Sequence, residues 1–454
     1  MPPPLSYIAL TGSLGAGFKE SSLERGLGRP LDFIAADSGS TDGGPYYLGT
    51  GEWIWARQAY ERDLRLGLLG AHRAGVPLII GSCGGGGGDA AVDGYVDLVR
   101  EIVREAGFGV RVATVHCEPD RAWLADKYRA GDMLELRGAP AIDESTFAQP
   151  GHIVAMAGAE PIQEALDAGA DVVLAGRTSD AALFAAMPLS RGFDPGPVWN
   201  AAKIVECGSA AAENRSGQDC LACTFDDDGF ILEPLDPALR CTPRSVAAHT
   251  LYETADPYRL VQPSGTLDAR EARYIALDER RVRVVGGRFE PATQYTAKLE
   301  GAAPVGFLSS FWGSTRDPII LSQLDTWIES LTSHIRDRLA GTFGGSGYDL
   351  RISVYGANGT TGEPTETVPR EAVISFDLLA DSQEDASAMA RAAYHVALHW
   401  PVKEWSGSIT TFAHRYSRPV VDRGPVYRFT MNHAVVLDDA ERASVFRVAV
   451  QDVR

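Results

Sequence analysis

Cysteine is scarce in this chain. Cys83, Cys117, Cys207, Cys220, Cys223 and Cys241 are spread thinly over 454 residues, which excludes a disulfide-built scaffold. Lysine is scarcer, occurring only at Lys19, Lys127, Lys203, Lys298 and Lys403. Positive charge is in deficit, with a formal net charge of −18, so the basic surface that general nucleic-acid binding needs is absent. An anionic ligand is still compatible, because backbone N–H groups and a single arginine can hold one locally. No run of about 18 apolar residues occurs, so no membrane span is expected. The opening MPPPLSYIAL has neither a basic n-region nor a long apolar stretch. No secretory leader is therefore expected, and the expected location is cytoplasmic. Complete nucleotide motifs are also missing. The turn Thr11 to Gly17, TGSLGAG, is out of register with GxGxxG and lacks a GK[ST] ending, which disfavours a kinase or dehydrogenase.

What is present is a globular composition, 45% hydrophobic and 22% charged, long enough for two or three domains. Short apolar runs alternate with polar loops and helical periodicity. Strands are expected at Ser6–Leu10, Leu31–Ile34, Val76–Gly81, Val110–His116, Ile153–Ala157 and Asp171–Ala175. Helices are expected at Trp53–Arg73, Ala90–Glu105, Glu160–Ala168 and Ala181–Met187. This rhythm predicts an N-terminal, mostly parallel α/β domain over residues 1–275. Further on, Ala201–Cys207 reads as a strand-like stretch, residues 224–245 as loop, Ser245–Glu253 as a helix and Arg280–Phe289 as a hairpin turning at Gly286-Gly287. Strands at Thr293–Leu299, Tyr348–Tyr355, Glu371–Leu378 and Val426–His433, with helices at Leu321–Leu339 and Ser382–His399, predict a smaller α+β domain over 276–454.

The chain is organised around AADSGSTDGGPYYLG, Ala35 to Gly49. Asp37, Ser38, Ser40, Thr41 and Asp42 are interleaved with glycines where a strand runs out, and open α/β sheets place ligands at that carboxyl edge. Asp37 and Asp42 are the expected catalytic carboxylates, acting as general base or as ligands of Mg²⁺ or another divalent cation. The competing reading is that both cap local turns. Arg177, Ser179 and Asp180 follow another strand. Arg177 suits a bidentate clamp on a carboxylate or phosphate, whereas Ser179 or Asp180 would serve equally as a helix N-cap. Ser82 precedes five glycines, Gly84 to Gly88. Ser82, Gly84 and Gly85 are expected to touch an anion through N–H groups at a helix start. No GxSxG elbow supports Ser82 as a nucleophile. His116, Cys117 and Glu118 allow metal or acid–base work, or a structural histidine. Glu206 with Cys207, the lone Cys220-x-x-Cys223 and Lys298 with Glu300 are weaker candidates, each with a bland structural alternative.

The segments IAADSGSTDGGPYYLG, AGRTSDAAL, IVECG, HTLYETADPY, AKLEGA and PVYRF resemble the AtuA-like family, named for acyclic terpene utilisation. The resemblance spans nearly the whole chain. It implies bacterial catabolism in which branched acyl-CoA chemistry occurs, and a small partner protein. The stretch Ser209–Arg244 departs from the family pattern, leaving Cys220 and Cys223 without a role. The expectation is a lyase or hydratase acting on a small carboxylate or acyl-CoA, in a homo-oligomer. The alternatives are a non-catalytic binding subunit working with a partner protein, and a hydrolase using Ser82 or Cys207.

Overall fold

The computed structural model describes residues 2–226, 229–252, 255–344, 347–363, 367–402, 404, 413–414 and 417–454. Glu253, Thr254 and Lys403 lie outside them. The chain forms two compact units, one of residues up to Ala303 together with Phe429–Arg454, the other Pro304–Arg428. The division falls later than residue 275, and the C-terminal tail belongs to the first unit. Among the described residues no helix is long and apolar enough to cross a membrane.

The first unit is built on a ten-stranded sheet. Its centre is parallel, in the order Leu5–Ala9, Phe33–Asp37, Leu78–Gly81, Val172–Ala175, Val110–His116. Strands buried on both faces read as unbroken apolar runs, as FIAAD, LIIG and VVLA do. Alternation then sorts the side chains. Ala35, Ile79, Ala113 and Val173 enter one core, whereas Ile34, Ala36, Ile80, Val112 and Leu174 enter the other. Helices Arg57–Ala74 and Asp89–Ala106 contribute to the second core, and Ala182–Ser190 and Pro195–Val205 to the first.

Both flanks of the sheet are antiparallel. Leu221–Asp226 pairs with Leu5–Ala9 and with Gly229–Pro234, which were expected to be loop. On the other flank Arg447–Val453 pairs with Val110–His116. Ala201–Cys207 is not strand-like, because it lies in and just after the helix Pro195–Val205, nearly all of which is buried. An apolar run of that length does not by itself distinguish a buried strand from a buried helix. The hairpin expected at Gly286-Gly287 is also absent. Val282–Val285 joins the large sheet, whereas Arg288–Pro291 pairs with Gly265–Asp268 in a separate three-stranded sheet.

In the second unit, Tyr348–Tyr355 and Ala372–Ala380 are antiparallel, and Ala372–Ala380 also pairs with the later half of the long strand Tyr295–Thr315. Helices Leu324–Phe343 and Gln383–Leu398 share one core with them, in which Phe311 stacks on Phe376 at 4.4 Å. This is the expected α+β arrangement of helices on an antiparallel sheet.

Candidate functional site

Phe33–Asp37 runs three residues past its expected end, so Asp37 is the strand's last residue and is buried, not part of the loop. The next strand in the sheet ends at Gly81 and delivers Ser82, and the one after ends at Ala175 and delivers Arg177. Thr178 approaches so closely that a β-carbon on Gly81 would lie 2.5 Å from its hydroxyl. Ser82 holds φ at +45°, a left-handed backbone uncommon for a non-glycine residue. This aims its hydroxyl at the Arg177 guanidinium.

Arg177 is the hub of the rim. Nε donates to Glu300 Oε2 at 2.7 Å. Nη1 donates to Ser82 Oγ at 3.2 Å, to the Thr178 carbonyl at 2.8 Å and to Asp180 Oδ1 at 3.1 Å. Nη2 carries no hydrogen bond among the described residues. Glu300 Oε1 accepts from Lys298 Nζ at 2.8 Å and from the Thr41 hydroxyl at 2.9 Å. Burial pushes Glu300 up, but Arg177 and Lys298 outweigh it and hold its carboxyl at about 2. Burial likewise favours the neutral form of Arg177, and the carboxylates of Glu300 and Asp180 more than reverse that. Lys298 and Glu300 are therefore not a surface pair, because Glu300 is the buried counter-ion of the rim.

Asp37 is different. Its Oδ2 accepts the Gly39 N–H at 2.7 Å, while Oδ1 is buried without a hydrogen-bond partner among the described residues. Burial, reinforced by the Asp180 carboxylate, raises its pKa well above the usual carboxylate range. Arg177, the Gly39 N–H and the Ser82 hydroxyl offset only part of this. Asp180 is raised as well, first by burial and further by Asp42, against Arg177. Its side chain is 36% exposed, so water screens part of that effect.

Asp42 is exposed on a short 3₁₀ turn capped by Ser40, whose hydroxyl accepts the Asp42 N–H at 3.2 Å. It acts on Asp180 and does not pair with Asp37. Ser38 bonds the Tyr95 hydroxyl at 3.2 Å. Neither Ser179 nor Asp180 caps the following helix, whose N-cap is Ala181 with no side-chain bond. Ser179 is fixed by its N–H to the Ala157 carbonyl. Gly84 and Gly85 are closely packed. A β-carbon on Gly84 would lie 2.9 Å from Trp53, and one on Gly85 2.1 Å from Ile54. A β-carbon on Gly87 would lie 2.4 Å from the Arg177 nitrogen. The glycine run lets other protein segments approach closely, and at the helix start the Asp89 N–H is taken by Glu118 at 2.9 Å.

Asp37 and Asp42, expected to hold a divalent cation together, are not paired: Asp37 is buried at the strand end and Asp42 is exposed on the turn beyond it. Among the described residues no group of three or more His, Cys, Asp or Glu is placed to hold a metal. Cys220 and Cys223 are free and buried. Burial pushes the Cys223 thiol up to about 12 and the Cys117 thiol higher still, so neither is a ready thiolate. His116 faces Asp93 at 3.0 Å.

Sequence reasoning missed the buried pair Lys203–Glu206, whose lysine acts on both Asp180 and His249. It also missed the pairing of Glu118 with His152. The available signal was that Lys203 and Glu206, three apart, share one helical face.

A family model described as acyclic terpene utilisation family protein AtuA matches residues 64–211 and 230–428. The chain belongs to the AtuA family. No curated protein and no solved structure matches it. AtuA membership carries a role in acyclic terpene utilisation and names no reaction. The match includes Ser82, Arg177, Asp180, Lys298 and Glu300 but begins after Asp37 and Asp42. The rim is thus completed by a strand end, Asp37, and the loop after it, both outside the matched span.

Proposed function

We propose that this AtuA protein is a catabolic enzyme of lyase or hydratase type acting on a carboxylate or acyl-CoA. Asp37 exchanges a proton with the substrate, and Arg177 Nη2 and Lys298 hold its carboxylate or thioester oxygen. The unpartnered Oδ1 of Asp37 carries this reading. Buried polar atoms are normally hydrogen-bonded, and a scaffold role explains the Arg177–Glu300 pair but not an orphaned carboxyl oxygen beside it. A carboxyl with a raised pKa is suited to proton exchange near neutral pH. The proposal includes a cytoplasmic location, a homo-oligomer and a small partner protein. The hydrolase reading for Ser82 is weaker, because its hydroxyl contacts Arg177 and Thr178 and, among the described residues, no histidine.

The test is incubation in D₂O with branched 2-enoyl-CoA and 3-hydroxyacyl-CoA thioesters and the free acids, read by mass spectrometry. Addition or loss of water with deuterium at the carbon next to the carbonyl is expected, and Asp37→Asn should abolish it. Turnover appearing only after a second protein is added would favour the binding-subunit reading. No turnover in either case removes the lyase or hydratase assignment.

A further inference from the structure

Hydration or dehydration moves two protons, one at carbon and one at oxygen, and Asp37 serves one of them. The same sheet edge holds a second acid–base group. Val110–His116, the next strand beyond the one that delivers Arg177, leads into Glu118. Glu118 Oε1 and Oε2 lie 3.1 and 3.2 Å from His152 Nδ1. Glu118 is itself fixed. Its Oε1 accepts the Asp89 N–H, and Asp89 Oδ1 accepts the N–H groups of Cys117 and Glu118 at 2.8 and 3.1 Å. Arg447 bonds Asp89 and the Glu118 carbonyl. The turn before His152 is tied down by Arg121, which donates to the carbonyls of Phe147, Gln149 and Gly151.

The ring is thus held at Nδ1, and its Nε2 faces the turn at Gly51, where a β-carbon would lie 3.3 Å away. His152 is registered opposite Ala302, and Val154 opposite Glu300. Directly paired residues share a face, so His152 projects from the same face as Glu300, two residues along.

We propose that His152, oriented by Glu118, is the second acid–base residue of this site and works at the substrate's oxygen. The proposal rests on the lyase or hydratase reading. In hydration, neutral Nε2 takes a proton from water as the water oxygen bonds to the β-carbon. The π pair moves to the α-carbon and takes the proton of the Asp37 carboxyl. In dehydration both transfers reverse, and the hydroxyl leaves with the C–O pair and a proton from His152. The bond to Glu118 and the nearby Asp89 carboxylate raise the pKa of His152, while its burial and Arg121 work against them.

The experiment compares the wild type, His152→Gln and Glu118→Gln in the full chain on the same thioesters, with pH–rate profiles and NMR titration of the imidazole. His152→Gln should lower kcat by about 10²–10⁴ with little change in KM. Glu118→Gln should move the acid limb of the profile and the imidazole titration together to lower pH. If His152→Gln fails to fold, Gly51→Ala serves instead. Its methyl sits against Nε2, and it should lower kcat by at least about tenfold while leaving the ring's titration in place. An active wild type whose kcat survives His152→Gln, or whose Glu118→Gln variant changes melting temperature but not pH profile, overturns this proposal alone. A wild type without turnover overturns the functional reading and this one with it.

Discussion

Each unit contains a polar cluster, buried in the first and built on the exposed Asp422 in the second, and the two are satisfied to different degrees. In the second unit, Asp422 Oδ1 accepts the hydroxyls of Ser309 and Ser387. Gln383 Nε2 donates to Ser309 Oγ at 2.9 Å, and Gln383 Oε1 accepts the Gly424 N–H at 3.0 Å. The Ser387 and Ser309 bonds hold Asp422 below the usual carboxylate range. In the first unit, Glu300 is as well satisfied, yet Asp37 on the same rim keeps one oxygen unpaired and a raised pKa. A polar cluster that only specifies a fold tends to complete its bonds. An incomplete one stores free energy that a ligand can recover, and on this ground the rim rather than the Asp422 cluster is the candidate site.

The largest expected effect comes from removing the hub. Arg177→Met leaves Glu300 and Asp180 without their buried counter-ion and should cost about 3–5 kcal/mol in denaturant unfolding. A loss within the range of a surface substitution would show that water already reaches Glu300. Asp37→Asn should go the other way. The unfolded carboxyl releases its proton near pH 4, while the folded one retains it. Wild-type stability therefore falls as pH rises above that value, until Asp37 ionises in the folded state too. Asn avoids this, so the variant should be more stable at neutral pH by on the order of 1 kcal/mol and no more stable at pH 3. A variant destabilised at neutral pH would mean that the charged form of Asp37 is a structural anchor.

The parallel centre of the fold was legible because strands buried on both faces show as apolar runs, and the Asp37, Ser82 and Arg177 loops were legible because they end those strands. The pairings were less so. Nothing local in AKLEGA says that Glu300 crosses to Arg177, 123 positions away, and His152 met Glu118 only through a strand register. The glycine run is ambiguous for a related reason. A close approach demands glycine whether the approaching group is a ligand or Ile54. Leu221–Pro234 misled because its strands lie on an antiparallel flank whose partner is the first strand of the chain.

Smaller changes test whether completeness is what separates the clusters. Ser387→Ala removes one of two hydroxyls from Asp422 and should cost about 1 kcal/mol at neutral pH. Asp422 is held below its unfolded value, so its contribution is present above the unfolded pKa and disappears as pH falls through the folded one. The cost of Ser387→Ala should shrink correspondingly in acid, opposite in sign to the behaviour of Asp37→Asn.

Lys298→Met is the smallest. The Lys298 side chain is 36% exposed, so its ion pair with Glu300 is screened and should contribute less than about 1 kcal/mol, fading at high salt. Arg177 and Thr41 keep Glu300 satisfied without it. A loss as large as that of Arg177→Met would mean that Glu300 depends on two cations rather than one. The rim would then be a complete ion cluster like that of Asp422, and the argument that Lys298 is spare for a ligand would fail.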